Sequence, residues 1–125
     1  MNNHFIQPMK LNKHNPESVF KQNIKKYLTA RGWDVLYVPS TALSPGWPDL
    51  MLLNKQLLCA KFVEVKTPVN KLEVSQIKLF TKLSAAGVKI WVVEGDHTYN
   101  EIQIKKALDV IYKEPNWHAY IRTLG

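Results

Sequence analysis

Two short segments place acidic and basic side chains at a spacing that suits metal-assisted chemistry. Residues 46–50 read Gly-Trp-Pro-Asp-Leu and residues 62–66 read Phe-Val-Glu-Val-Lys, so Asp49 and Glu64 lie fifteen positions apart. Side chains alternate between the two faces of a strand, which puts Glu64 and Lys66 on one face roughly 7 Å apart. Two carboxylates at one site favour a hard divalent cation such as Mg²⁺.

That arrangement suits hydrolysis of a phosphodiester bond. The Val65 carbonyl is a plausible third protein ligand beside Asp49 and Glu64. The metal would activate a water, and Lys66 would orient that water or offset negative charge in the transition state. In the alternative interpretation, Asp49 caps a turn after Pro48, while Glu64 and Lys66 form an exposed ion pair that contributes little to stability.

Composition favours a small basic domain with a polyanionic partner. The chain has 125 residues, 46% of them hydrophobic, and a net charge of +7. Fifteen of its 17 basic residues are lysines, which favours contacts with the phosphate backbone over reading of bases. We expect no membrane segment, because no apolar run reaches the roughly 20 residues needed to span a bilayer. No signal peptide is apparent, and the single Cys59 fits a reducing cytoplasm.

Apolar spacing and turn residues predict one α/β domain. We expect residues 1–14 to be a flexible N-terminal arm and residues 15–125 to form the domain. A first helix is capped by Asn15 and ends at Gly32, with Lys21, Lys25 and Lys26 on its outer face. The other predicted elements are strands 33–38, 49–53 and 57–66, helix 74–86, strand 88–93 and helix 101–112. This order predicts a central mixed β-sheet flanked by helices.

The order of these motifs resembles the VRR-NUC family of the PD-(D/E)xK nuclease superfamily. That family has a glutamate in the first helix, a G-x-P-D-L strand, an E-V-K strand and a K-L-S-x-x-Q-like helix start. The matching residues here are Glu17, residues 46–50, residues 64–66, Lys71-Leu72 with Gln76, and residues 83–87. The resemblance covers residues 15–95 and implies a restriction-endonuclease-like fold.

The resemblance also implies roles for individual residues. Asp49 and Glu64 would be metal ligands, with the Val65 carbonyl beside them and Lys66 as the catalytic lysine. Gln76 would position the water, the lysine or the substrate. Glu17 would be a further acid that reaches the site, through a metal-bound water in one reading.

The chain departs from the family pattern at two places. Glu73 stands where the family often has a serine that opens the helix, and the loop before Gly46 carries no arginine. Phosphate contacts in that loop must therefore come from hydroxyls, backbone amides or distant lysines. The candidate DNA-contact residues are Lys21, Lys25, Lys71, Lys78 and Ser44.

We therefore expect a Mg²⁺- or Mn²⁺-dependent endodeoxyribonuclease with no small-molecule cofactor. The resemblance implies a homodimer that acts on branched DNA, a four-way (Holliday) junction resolvase of phage or bacterial type that works in the cytoplasm of a bacterial cell. One alternative is a nicking or flap endonuclease in replication, repair or defence. Another is a non-catalytic DNA-binding module on the same fold.

Overall fold

The computed structural model describes residues 16–68 and 71–121. The predicted arm, residues 1–14, and the predicted cap Asn15 lie outside this part of the chain. The chain order of helices and strands is as predicted. The elements are α1 (Pro16–Thr29), β1 (Asp34–Tyr37), β2 (Leu50–Asn54), β3 (Cys59–Lys66), α2 (Val74–Ala85), β4 (Ile90–Glu94) and α3 (Glu101–Leu108), followed by 3₁₀ helices Asp109–Tyr112 and Trp117–Tyr120.

The four strands form one mixed sheet in the order β1-β2-β3-β4. β1, β2 and β3 are antiparallel neighbours, with Leu50 opposite Val63 in the β2–β3 pair. β4 runs parallel to β3, and Lys66 lies opposite Glu94. α2 supplies the crossover that a parallel pair needs. The two central strands are therefore β2 and β3, the strands that carry the two predicted motifs.

Helices cover both faces of the sheet, and β3 contributes alternate side chains to each face. Val63 and Val65 belong to a buried cluster that also contains Phe20 of α1 and Ile104 of α3. Phe62 packs on a second cluster, formed by Leu72, Phe80, Ile90, Val92 and Trp117. Glu64 and Lys66 alternate with the two valines and therefore point to the face that α2 covers.

The third strand is shorter than the apolar pattern predicts. It begins at Cys59, two residues later than expected, because residues 55–58 form a turn. The Leu57 amide donates to Asn54 Oδ1, and Leu58 has a left-handed φ of 51°. Both leucines are exposed on this turn, so their hydrophobic side chains do not belong to the sheet.

Other boundaries shift by smaller amounts. α3 ends at Leu108 and continues as a 3₁₀ turn, where the sequence predicts helix up to residue 112. β4 begins at Ile90, two residues after the predicted start. No helix among the described residues is both long enough and apolar enough to cross a membrane.

Gly46 brings the loop before β2 into contact with the first turn of α2. Its φ is +90°, and a Cβ at this position would lie 2.6 Å from the Ser75 carbonyl oxygen. The Gly46 amide also donates to Ser40 Oγ at 3.0 Å, which closes the loop on itself. The loop therefore has no room for a larger residue where it meets α2.

We expect Gly46→Ala to lower the free energy of unfolding by about 2 to 4 kcal/mol, because it adds a backbone clash to the left-handed strain. Gly32→Ala is the matched control. Gly32 has the same φ of +90° but would bring its Cβ within 4 Å of nothing. It should cost only about 1 to 2 kcal/mol. Urea denaturation measures both, and equal losses would mean that the contact with Ser75 contributes nothing.

Candidate active site

The two acidic residues of the motifs lie side by side at the end of the central hairpin. Asp49 directly precedes β2, and its backbone amide donates to Glu64 Oε1 at 3.2 Å. This contact continues the β2–β3 register one step beyond Leu50 and Val63. The structure thus brings together two carboxylates that are fifteen residues apart in the chain.

Both oxygens of the Asp49 carboxylate accept hydrogen bonds. The Val65 amide donates to Oδ2 at 2.9 Å, which ties the side chain to β3. The Lys21 ammonium donates to Oδ1 at 3.1 Å and forms an ion pair with it. Asp49 is therefore held from the sheet on one side and from α1 on the other.

Glu64, Lys66 and Gln76 contact one another. Gln76 Nε2 donates to Glu64 Oε2 at 2.7 Å, and Lys66 Nζ lies 3.4 Å from the same oxygen. Lys66 Nζ also donates to Gln76 Oε1 at 3.1 Å. Gln76 therefore fixes the distance between the acid and the lysine by contacting both.

Gln76 also stabilises the start of α2, where Glu73 stands in place of the serine that the family often has. Its Oε1 accepts the Glu73 backbone amide at 3.0 Å, at the N-cap of α2. This contact satisfies an amide at the helix start that has no partner within the helix. The Gln76 side chain thus caps the first turn of α2 and also positions Glu64 and Lys66.

Burial makes ionisation of Glu64 costly. Its side chain is 2% exposed, and Lys66 is 6% exposed. Burial, and after it the Asp49 charge, raise the pKa of Glu64 to about 8, although Lys66 and Gln76 act in the opposite direction. The raised pKa of Glu64 therefore reflects first its burial and second the neighbouring Asp49 carboxylate.

Glu17 reaches the same site from the first turn of α1. Burial raises its pKa, Lys21 opposes that shift, and Asp49 adds to it. These influences show that the Glu17 carboxyl lies in the electrostatic environment of Asp49 and Lys66. The structure thus brings all five predicted catalytic residues into one region.

The position of Lys21 differs from the prediction. The helical pattern places it on the outer face of α1 with Lys25 and Lys26, but its side chain is 23% exposed and pairs with Asp49. Burial acts to lower the pKa of the Lys21 ammonium, but Asp49, Glu17 and Glu64 together outweigh it and the net pKa is raised. The signal in the sequence is its spacing of four from Glu17, which puts both on one helix face.

The other predicted DNA-contact residues are exposed or make contacts of their own. The Lys25 ammonium lies 4.8 Å from the centre of the Tyr37 ring. Lys71 and Lys78 are exposed on either side of the start of α2. Ser44 is exposed, and its amide bonds to Thr41 within the loop before β2.

Comparison with known families gives one match, to the VRR-NUC domain over residues 6–97. The chain belongs to the VRR-NUC family. VRR-NUC proteins are nucleases of the PD-(D/E)xK superfamily, so the chain is a nuclease of that superfamily. The family and the mixed sheet predicted from the motifs are both confirmed, and the fold is restriction-endonuclease-like.

Two solved structures are similar to this chain at low sequence identity. A VRR-NUC domain structure superposes with a TM-score of 0.59 at 23% identity, over 77% of this chain and 94% of that chain. Hjc of Archaeoglobus fulgidus, a Holliday junction resolvase, superposes with a TM-score of 0.43 at 19% identity, over 59% and 65% of the two chains. No curated protein matches the sequence significantly.

The donor set of this VRR-NUC site fits a hard divalent ion. Within residues 16–68 and 71–121, no cluster of three or more His, Cys, Asp and Glu side chains is arranged to hold a metal. Asp49 and Glu64 offer a pair of adjacent carboxylates instead. Mg²⁺ is commonly bound by one or two carboxylates, with water and substrate phosphate as its other ligands.

Proposed function

We propose that this VRR-NUC protein is a Mg²⁺- or Mn²⁺-dependent endodeoxyribonuclease. The observation that carries the proposal is the contact set at the end of β2 and β3. Asp49 lies beside Glu64, and Glu64 lies 3.4 Å from Lys66. A bound divalent ion, held by Asp49, Glu64 and the Val65 carbonyl, would supply Lewis-acid stabilisation of charge that develops on the phosphate.

The remaining residues act by position and charge. The Lys66 ammonium, held by Gln76, orients the attacking water or stabilises the developing negative charge. Gln76 keeps the Glu64 carboxylate turned toward the site through its 2.7 Å hydrogen bond. Glu17 adds a third acid at the border of the site, where it would help to hold the divalent ion.

We further propose that the substrate is branched DNA, with the four-way junction preferred, and that the enzyme is a homodimer of phage or bacterial type acting in the cytoplasm. A net charge of +7 with only two arginines supports recognition of shape and phosphates over recognition of bases. Two symmetric sites in a dimer would allow two strands to be cut in a coordinated way.

A panel of DNA substrates tests this proposal. Purified protein should cut a four-way junction in Mg²⁺ or Mn²⁺ faster than nicked, flap or linear duplex DNA, and EDTA should abolish cleavage. Light scattering should give twice the mass of one chain. An intact junction alongside a cut flap or nicked DNA would favour the alternative nicking or flap enzyme. Binding without cleavage of any substrate would favour a non-catalytic module.

A further inference from the structure

The ammonium of Lys21 lies beside Asp49 Oδ1, an oxygen that the proposed metal would need as a ligand. Lys21 Nζ is 3.1 Å from Asp49 Oδ1, while Asp49 Oδ2 is taken by the Val65 amide. Oδ1 is therefore the oxygen of Asp49 that faces away from the β3 backbone. A divalent ion bound to that oxygen would lie within a few ångströms of a positive charge.

Lys66, the second lysine of the site, is more deeply buried than Lys21 and contacts two side chains. Lys66 is 6% exposed and donates to Gln76 as well as pairing with Glu64. The Lys21 and Asp49 side chains are 23% and 20% exposed, so water reaches this ion pair. A lysine on a flexible four-carbon stem at a partly solvated position can withdraw, whereas Lys66 is enclosed.

The Lys21–Asp49 pair contributes little to folding for the same reason. Ion pairs that water reaches are worth little on balance, because side-chain entropy and solvation offset their attraction. Repulsion between the ammonium and a doubly charged ion a few ångströms away is larger than such a pair's net gain. The main effect of Lys21 is therefore on what else binds Asp49.

We propose that Lys21 is a resident counter-cation that competes with the divalent ion for Asp49. The inference rests on the proposed function, since it takes Asp49 as a metal ligand. In the absence of the ion, Lys21 keeps the Asp49 carboxylate paired and in place. When the ion binds, Lys21 must give up Oδ1, so its charge sets the free-ion concentration at which the site fills.

The test measures Mn²⁺ binding alone, by isothermal titration calorimetry without DNA. Lys21→Met should tighten Mn²⁺ binding by about 5- to 50-fold, the order expected when a nearby charge is removed from a partly solvated site. Lys25→Met is the matched control, because Lys25 is on the same helix and contacts the Tyr37 ring instead of Asp49. It removes the same charge and should change the affinity less than twofold.

Two further variants separate the possible failures. Lys21→Arg keeps the charge and should bind Mn²⁺ no more tightly than the wild type, whereas Lys21→Gln removes the charge with a polar side chain and should tighten binding in the case in which Lys21→Met does not fold. Equal affinities for Lys21→Met and wild type, with Asp49→Asn weakened, would overturn the inference alone. An unweakened Asp49→Asn variant would overturn the proposed metal site, and the inference with it.

Discussion

A Lys66→Met variant should bind DNA as the wild type does but cleave it about 10²- to 10³-fold more slowly. The ammonium of Lys66 is the buried positive charge nearest to Glu64, at 3.4 Å, and methionine replaces its stem while removing that charge. Binding should persist, because most of the +7 net charge lies elsewhere on the chain. Single-turnover cleavage with Mn²⁺ and a gel-shift titration measure the two effects separately.

Lys105→Met is the control for this variant. Lys105 is exposed in the last turn of α3, a helix that packs on the opposite face of the sheet from Gln76. Its loss removes one positive charge without touching the site, so its cleavage rate should stay within about twofold of the wild type. Equal rates for Lys66→Met and wild type would mean that Lys66 has no role or that a contaminating nuclease does the cutting.

The Glu64→Gln variant should be more stable than the wild type at high pH in the absence of metal. The pKa of Glu64 is raised from 4.5 to about 8, so the folded protein binds a proton that the unfolded chain has lost. The stability from this group is fully present below pH 4.5 and declines as pH rises toward 8. Glutamine cannot ionise, so above pH 8 the variant should be more stable by about 2 to 4 kcal/mol.

Urea denaturation in EDTA at several pH values between 5 and 9 provides the measurement. Titrating groups away from the site affect both proteins alike, so the difference between the two curves reports Glu64 together with the neighbours whose charges interact with it. A difference that stays constant with pH would contradict the raised pKa.

Saturating Mn²⁺ should reverse the order of stabilities for this pair. An ion that binds only the folded protein adds about 4.1 kcal/mol at a concentration 1,000-fold above its dissociation constant, which exceeds the advantage of the variant in EDTA. The wild type should gain this stabilisation because both carboxylates hold the ion. Glu64→Gln should gain much less, so a variant that is more stable in EDTA becomes less stable relative to wild type in Mn²⁺.

Strand alternation is why the central part of the site can be predicted from the sequence. A period of two is strict along β3, so Glu64 and Lys66 must share a face once Val63 and Val65 enter the core. The hairpin register then brings Asp49 to Glu64. These relations depend only on the local geometry of strands and hairpins, which the residue pattern is sufficient to predict.

The position of Lys21 depends on tertiary packing and therefore cannot be predicted from the residue pattern. Helical spacing shows that it shares a face with Glu17, but not that this edge of α1 meets the end of the sheet. The turn at Leu57 and Leu58 cannot be predicted from the pattern for another reason. Their side chains are as hydrophobic as those of a strand, while the Asn54 side chain and the left-handed Leu58 backbone end the pairing.

The topology of the sheet has a consequence for the order in which the site assembles during folding. Asp49 and Glu64 meet through a hairpin with a four-residue turn, a contact between residues only fifteen apart, whereas Lys21 reaches Asp49 across 28 residues. β4 can join β3 only after the α2 crossover is in place. Because short loops cost less entropy to close, we expect the two carboxylates to meet, with Lys66 beside them on β3, before Lys21 and Gln76 reach the site. The early hairpin would thus hold two carboxylates with Lys66 but without Lys21, and free Mg²⁺ would screen their repulsion and speed formation of the central hairpin.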